Sequence, residues 1–354
     1  MDVSIIIPTM NRPKLLLRLI CYYSVLEFQG KILIGDSSST EIFQETAIAL
    51  ENYKDCLDIC HRHLPGRSVA AAVMDMNENL RTSFVCLAPD DDFIVPRTIA
   101  KCMQFLDGHS DYIAAHGMGV VISSPSGDAG TIDDAGYYPQ TTMDDVSAST
   151  RLCSHLRNYS VNLFSVHRSE IWCKMFIGTP TPSERPQCTD TSFADELLSC
   201  CLSVVYGKIK QIDGLYLVRQ VHENRYILPT WFDWLNKENW YPSYRYFRNQ
   251  LAQAISDEDQ IGISQAKIIV DSSFSVYMGR QGAKIVAPKA HWFRKFARKS
   301  QMLRLVWRAF LQLRVRIQPT KIICLSSLLN SSSPFYQDFL PVFKAVTRAD
   351  KVKN

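Results

Sequence analysis

The chain has 354 residues, is 46% hydrophobic and 21% charged, and carries a formal net charge of +4. This composition excludes wholesale disorder, and the length suggests about two structural units. No run of about 18 apolar residues occurs, so no transmembrane span is expected.

The chain order then reads as alternating strands and helices. Val3 to Ile7 is a β-branched run with the character of a buried parallel strand, stopped by Pro8. A loop, Thr9 to Arg12, precedes Pro13, which suits a first helical position. Leu15, Leu16, Leu19, Ile20 and Tyr23 have helical spacing. Lys31 to Ile34 predicts a second strand, ending at Gly35-Asp36 and a serine-rich loop. Helices are predicted over 41–53 and 68–79. Phe84 to Ala88 predicts a third strand that runs into Asp90-Asp91-Asp92. A helix over 98–106 and a glycine-containing strand over 112–122 follow. Residues 123–150, rich in Ser, Gly, Asp and Pro, read as a long loop. Further on come a helix and a strand within 151–168, a helix over 192–205 carrying Asp195 and Glu196, and a strand over 215–221 followed by His222, Asn224 and Arg225. The aromatic-rich stretch 226–270 reads as a helical continuation.

Such alternation predicts an α/β fold with a mainly parallel sheet flanked by helices. In these sheets ligands lie outside the C-terminal ends of the strands. Three polar clusters fall there: Thr9, Asn11 and Arg12; Asp36; and Asp90 to Asp92. Three adjacent carboxylates repel one another, and a hard cation such as Mg2+ or Mn2+ compensates them while taking phosphate oxygens. Asp36 can accept from a base or ribose, or can cap the next helix, a task Ser39 or Thr40 could perform instead. Asp195 and Glu196 are general-base candidates for deprotonating an acceptor hydroxyl. His222 is a candidate metal ligand and Arg225 a candidate phosphate partner.

The ordered segments VSIIIPTMNRPKLLLRLICYYS, ILIGDSSST, FVCLAPDDDFIVP and FADELL, with Val221 to Arg225 after them, resemble family 2 glycosyltransferases over roughly residues 1–225. The closest similarity is to the bacterial-type subgroup with an ADDDF-like acidic motif. The resemblance implies a GT-A (Rossmann-like) fold and a metal-dependent, inverting transfer from a nucleotide-diphosphate sugar, with a UDP-sugar favoured. It implies that Pro8, Thr9, Asn11 and Arg12 border the nucleotide and that Asp36 contacts uracil or ribose. Asp90 to Asp92 would carry the DXD element, with Asp91, Asp92 and His222 as metal ligands and Asp90, Asp91 and Arg225 near the nucleotide sugar. Asp195 would be the base, with Glu196 its rival. Pro89 stands where many relatives have a further acid, and Ser37-Ser38-Ser39 replaces the usual glycine-serine pattern. The register of the metal ligand is therefore open among the three acids. The acceptor implied is a glycan or a lipid-linked hydroxyl in surface polysaccharide or glycoconjugate synthesis.

Residues 226–354 are expected to form a mostly helical C-terminal region. From Ser272 to Gln337 there are twelve Lys and Arg and no Asp or Glu, so the rest of the chain is net acidic. Within about 289–316, Trp292, Phe296, Leu303, Trp307 and Phe310 share a helical face, and Arg294, Arg298, Arg304 and Arg308 oppose it. That pattern suits an anionic membrane surface or a helix packed on the core; nucleic acid is the disfavoured partner. The eleven scattered cysteines lack zinc-ribbon spacing, and the start lacks a signal peptide's basic region. The expected setting is therefore cytoplasmic, peripheral on the membrane face. Two other functions are open: a nucleotidylyltransferase, disfavoured by the absence of a glycine-rich basic loop after the first strand, and a non-catalytic membrane-associated scaffold with a degenerate transferase domain.

Overall fold

The computed structural model describes residues 1–124, 130–177, 196–223, 225, 235–286 and 323–347. The candidate base Asp195, Asn224 and the basic segment 289–316 lie outside these described residues.

One mixed sheet organises the molecule. Its strands are β1 (Val3–Thr9), β2 (Lys31–Asp36), β3 (Asp58–His63), β4 (Phe84–Leu87), β5 (Phe93–Ile94), β6 (Tyr112–Ser123), β7 (Asp134–Tyr138), β8 (Val166–Arg168) and β9 (Lys208–Val221). The order is β3-β2-β1-β4-β8-β6-β9-β5, with β7 paired to β6. The first four strands pair in parallel. Beyond β4 the sheet turns mixed: β8 is antiparallel to both β4 and β6, while β9 is parallel to β6. The fold class is α/β, as the alternation predicts.

The parallel half forms for the reason visible in the sequence. Val3, Ile5, Ile6, Ile7, Ile32, Leu33 and Ile34 are fully buried, as strands covered on both faces must be. Truncating one of them, Ile6→Ala, costs about 2–5 kcal/mol for lost burial and the cavity left behind. Strand β3 (DICHRH) carries a polar pattern of an edge strand and was not expected from periodicity. The same holds for β7, which lies inside the stretch expected to be loop.

The helices are α1 (Pro13–Val25), α2 (Thr40–Leu50), α3 (Val69–Asn77), α4 (Pro96–Gly108), α5 (Ala148–Arg157), α6 (Ser169–Ile177), α7 (Leu198–Tyr206), α8 (Trp240–Asp259), α9 (Ile263–Val286), α10 (Leu325–Leu328) and α11 (Tyr336–Thr347). Pro13 occupies the first turn of α1 as expected. Helix α3 packs on β1 and β2, α4 on β6 and β9, and α11 on α1. Helices α8 and α9 pack against each other and on α5. Their buried Phe247, Leu251, Val270 and Phe274 join the same apolar cluster as the sheet. No described helix is long and apolar enough to cross a membrane.

Strands β6 and β9 approach closely where their register slips. A Cβ on Gly117 would stand 2.5 Å from the Gly214 carbonyl oxygen, and Gly214 itself has φ of +129°. Only glycine fits both demands. This bulged stretch lies upstream of Arg219 and His222, which close the site described next.

Candidate active site

Chain topology brings the C-terminal ends of β2, β1 and β4 side by side, with Thr9 in register with Asp36. The acidic run leaves β4 at that edge. The Thr9 hydroxyl donates to Asp90 Oδ2 at 2.7 Å. Arg12, at the entrance to α1, donates from Nη1 to Asp90 Oδ1 at 3.1 Å and Asp91 Oδ2 at 3.2 Å. From the far side of the sheet, His222 Nε2 sits 2.9 Å from Asp91 Oδ2. Arg219 Nε donates to Asp92 Oδ2 at 2.8 Å, and the Gln220 N–H donates to Asp92 Oδ1 at 2.8 Å. The run therefore ties β1, β4 and β9 together.

All three carboxylates are buried. Burial, reinforced by the neighbouring Asp91 charge, pushes Asp90 up to about 6. Burial also pushes Asp92 up to about 6, with Arg219 opposing and Asp91 adding to it. Burial acts on Asp91 in the same direction. There the His222 hydrogen bond and the Arg12 charge outweigh it, and the carboxyl stays below its ordinary range. Two guanidinium groups and an imidazole thus share the compensation that sequence reasoning gave to a metal alone.

At the end of β2, Asp36 Oδ1 accepts from the Ser38 N–H at 2.9 Å, and Oδ2 lies 3.0 Å from His61 Nε2. Burial opposes ionisation, but these partners win and hold the carboxyl below its usual value. The cap of α2 is Ser39, which accepts from the Ile42 N–H; Asp36 is not used as a cap. Phe43 lies over both histidines of β3, with ring centroids 4.5 Å from His61 and 4.4 Å from His63. Asn11 has φ of 55°, a left-handed conformation that asparagine tolerates. Its N–H donates to Ser38 Oγ at 2.7 Å, and its Oδ1 accepts from the Ser39 N–H at 3.1 Å. Asn11 therefore stitches the β1–α1 loop to the β2–α2 loop. Pro8, half-buried, pairs with Gly35 in the same row.

Glu196 lies just before α7 and is half-buried. Its Oε1 accepts from the Tyr159 hydroxyl at 2.8 Å. Burial pushes its carboxyl up, against the Tyr159 bond and the Arg219 charge. Arg219 links this group to the acidic run: it lies over Tyr138 at 5.1 Å and Phe164 at 4.9 Å while bonded to Asp92. Arg225 is exposed. Among the described residues, no hydrogen bond or ion pair joins it to the run.

Sequence reasoning missed His61, Arg219 and Tyr159. Only Arg219 left a signal, as the one charge inside the strand segment LYLVRQV, three residues before His222.

Residues 4–144 match the model for Glycosyl transferase family 2. The match contains Thr9, Arg12, Asp36 and the acidic run and ends before Glu196 and His222. The chain is similar in fold to S. aureus TarS 1-349 in complex with UDP-GlcNAc, at 15% identity and a TM-score of 0.52, covering 82% of this chain and 78% of that one. It is likewise similar to S. aureus TarS 1-349 in complex with UDP, at 16% identity and a TM-score of 0.51, covering 84% and 78%. It spans 43% of the length of another S. aureus TarS structure, matched at 16% identity and a TM-score of 0.49 over 78% of this chain. No curated protein matches it.

Proposed function

We propose that this chain is a glycosyltransferase that moves a sugar, with inversion, from a UDP-sugar to an acceptor hydroxyl, at a site whose residues would hold a divalent cation. The observation that carries the reading is the joint placement of Asp36 and the Thr9-bonded acidic run at adjacent strand ends inside the family-matched segment. Binding of UDP-GlcNAc by a structural neighbour supports UDP as the nucleotide.

Ionised Asp36 accepts the imide N–H of uracil, with His61 and Ser38 fixing its carboxylate. Arg12 would meet a phosphate in exchange for the carboxylates it now holds. Asp91 and His222 would hold Mg2+ or Mn2+. Their fit rests on the His222 Nδ1, which is buried and lacks a hydrogen-bond partner among the described residues. Among those residues no cluster of three metal-ligating side chains occurs, so any further ligands would have to come from the diphosphate and water. Asp92 is assigned a different part, because both its oxygens are engaged by Arg219 and Gln220; it anchors the loop. When bound, the cation supplies Lewis-acid stabilisation of the leaving diphosphate.

Of the two base candidates, Glu196 is supported by its place. It is half-buried and electrostatically coupled to Arg219, which bonds the acidic run. A carboxyl raised by burial is a better proton acceptor at neutral pH. The acceptor oxygen attacks the anomeric carbon as Glu196 takes its proton, and the bond from that carbon to the diphosphate oxygen breaks. Residues 1–225 form the catalytic unit and 226–354 a helical region in this reading. The acceptor is a glycan or lipid-linked hydroxyl in surface glycoconjugate synthesis, reached at an anionic membrane surface through 289–316.

A panel of nucleotide sugars with Mn2+ tests the reading. UDP-sugar turnover is expected, and Glu196→Gln is expected to lower kcat about a thousandfold while UDP binding persists. Turnover at the wild-type rate by Glu196→Gln overturns the base assignment. A folded wild-type protein that neither binds UDP nor turns over any donor overturns the function.

A further inference from the structure

The C-terminal helices reach the candidate base. Three residues of α9, Ser273, Tyr277 and Arg280, are spaced four and three apart and so share one helical face. Each meets the segment around the end of α5. Ser273 Oγ lies 2.9 Å from Cys153 Sγ. The Tyr277 ring stands edge-on to Tyr159, with centroids 5.4 Å apart at 75°. Arg280 Nη1 donates to Asn158 Oδ1 at 3.1 Å. His155 braces the Tyr159 ring from α5, at 5.1 Å. The hydroxyl so held is the one that donates to Glu196 at 2.8 Å.

We propose that Tyr159 is the positioning residue for the base Glu196, and that α9, through Tyr277, holds it there. This rests on the transfer reaction proposed above. It makes the helical region part of the transfer site and not merely an appended unit.

The chemistry follows from the hydroxyl. Burial pushes Tyr159 well above its ordinary value, so it remains a proton donor at any working pH. One phenolic O–H fixes one carboxylate oxygen and leaves the other for the acceptor. A bond that favours the charged carboxylate keeps the base ionised to lower pH. The other groups facing Glu196 are Tyr277 from α9, Tyr138 from β7, Arg219 from β9 and Cys200 from α7. Only Arg219 among them is cationic, so the Tyr159 bond and the Arg219 charge together oppose the effect of burial.

Tyr159→Phe keeps the ring contacts and removes only the hydroxyl. UDP release from UDP-GlcNAc with Mn2+, water serving as acceptor, is followed across pH. The expected result is a roughly tenfold fall in kcat, the usual scale for one hydrogen bond to a charged group. The KM for UDP-GlcNAc and the melting temperature are expected to stay near wild type, and the acid limb of the kcat profile to move to higher pH. Arg280→Gln, at the exposed end of the same helix face, is expected to give a smaller loss with the same direction of limb shift. Wild-type kcat and an unmoved acid limb in Tyr159→Phe, with Glu196→Gln inactive, overturn the positioning role and leave the transfer reading standing. Full activity in Glu196→Gln, or no UDP-GlcNAc turnover by the wild type, removes the reading and this proposal together.

Discussion

Asp36 and Asp92 are equally buried, each 1% exposed, yet they sit on opposite sides of the ordinary carboxylate range. Both accept a backbone N–H, and both have a basic side chain within 3.0 Å. The difference lies in their surroundings. Burial acts harder on Asp92, and Asp91 adds like-charge repulsion beside it. Asp36 stands in a corner where the His61 and Ser38 hydrogen bonds and the His61 charge lower it. Accessible surface alone therefore does not decide whether a carboxyl stays charged; the depth of its burial, its hydrogen bonds and the neighbouring charges decide together. On the proposed reading, that separates the nucleobase corner at Asp36 from a loop held together by cation pairing at Asp92.

The sharpest way to break the comparison is to remove the cation of the crowded site. Arg219→Met strands Asp92 as a buried carboxylate. Breaking such a pair costs about 3–5 kcal/mol when fully buried, and the partial exposure of Arg219 brings the expected loss to about 2 kcal/mol. Urea unfolding measures it, and adding Asp92→Asn should recover part of the loss. No recovery in the double variant would show that Arg219 acts through its ring contacts with Tyr138 and Phe164 instead.

A smaller effect is expected at the solitary site. Asp36→Asn should weaken UDP binding by about tenfold, the worth of one charge-assisted hydrogen bond, with little change in melting temperature. Calorimetric titration with UDP decides it, and undiminished affinity would remove Asp36 from the nucleotide site.

The smallest effect is the pH response. Asp90, pushed up to about 6, binds its proton in the folded protein before the unfolded chain does, whose value is near 3.8. Acidification from pH 6 to 4 therefore favours the fold through this group. Asp36 has the opposite sign: its lowered carboxyl stabilises the fold above the unfolded value, and that contribution is lost as the pH falls through its folded value. The stability difference between wild type and Asp90→Asn should shift toward wild type between pH 6 and 4. A difference that is flat across that window contradicts the raised value.

The parallel half of the sheet was legible because Val3 to Ile7, Lys31 to Ile34 and Phe84 to Ala88 are apolar runs with polar residues at their ends. Those ends also revealed Thr9, Asp36 and the acidic run. Strand β3 was invisible because an edge strand needs no apolar pattern, and with it went His61. The partners Arg219 and Tyr159 depend on packing between segments far apart in sequence, which no local pattern encodes. The acidic run read as a metal site from its carboxylate repulsion, its place at a strand end and the family resemblance; the fold supplies Arg12, Arg219 and His222 against the same repulsion. The proposed metal assignment rests on Asp91 and His222 for that reason.

The central claim is that the acidic run binds the donor diphosphate together with a cation through Asp91. Calorimetric titration of UDP, with and without Mn2+, into wild type and Asp91→Asn tests it most directly. Wild-type affinity should rise with Mn2+ by at least tenfold, and Asp91→Asn should lose that rise while keeping its metal-free affinity. An equal Mn2+ enhancement in both proteins would contradict the account.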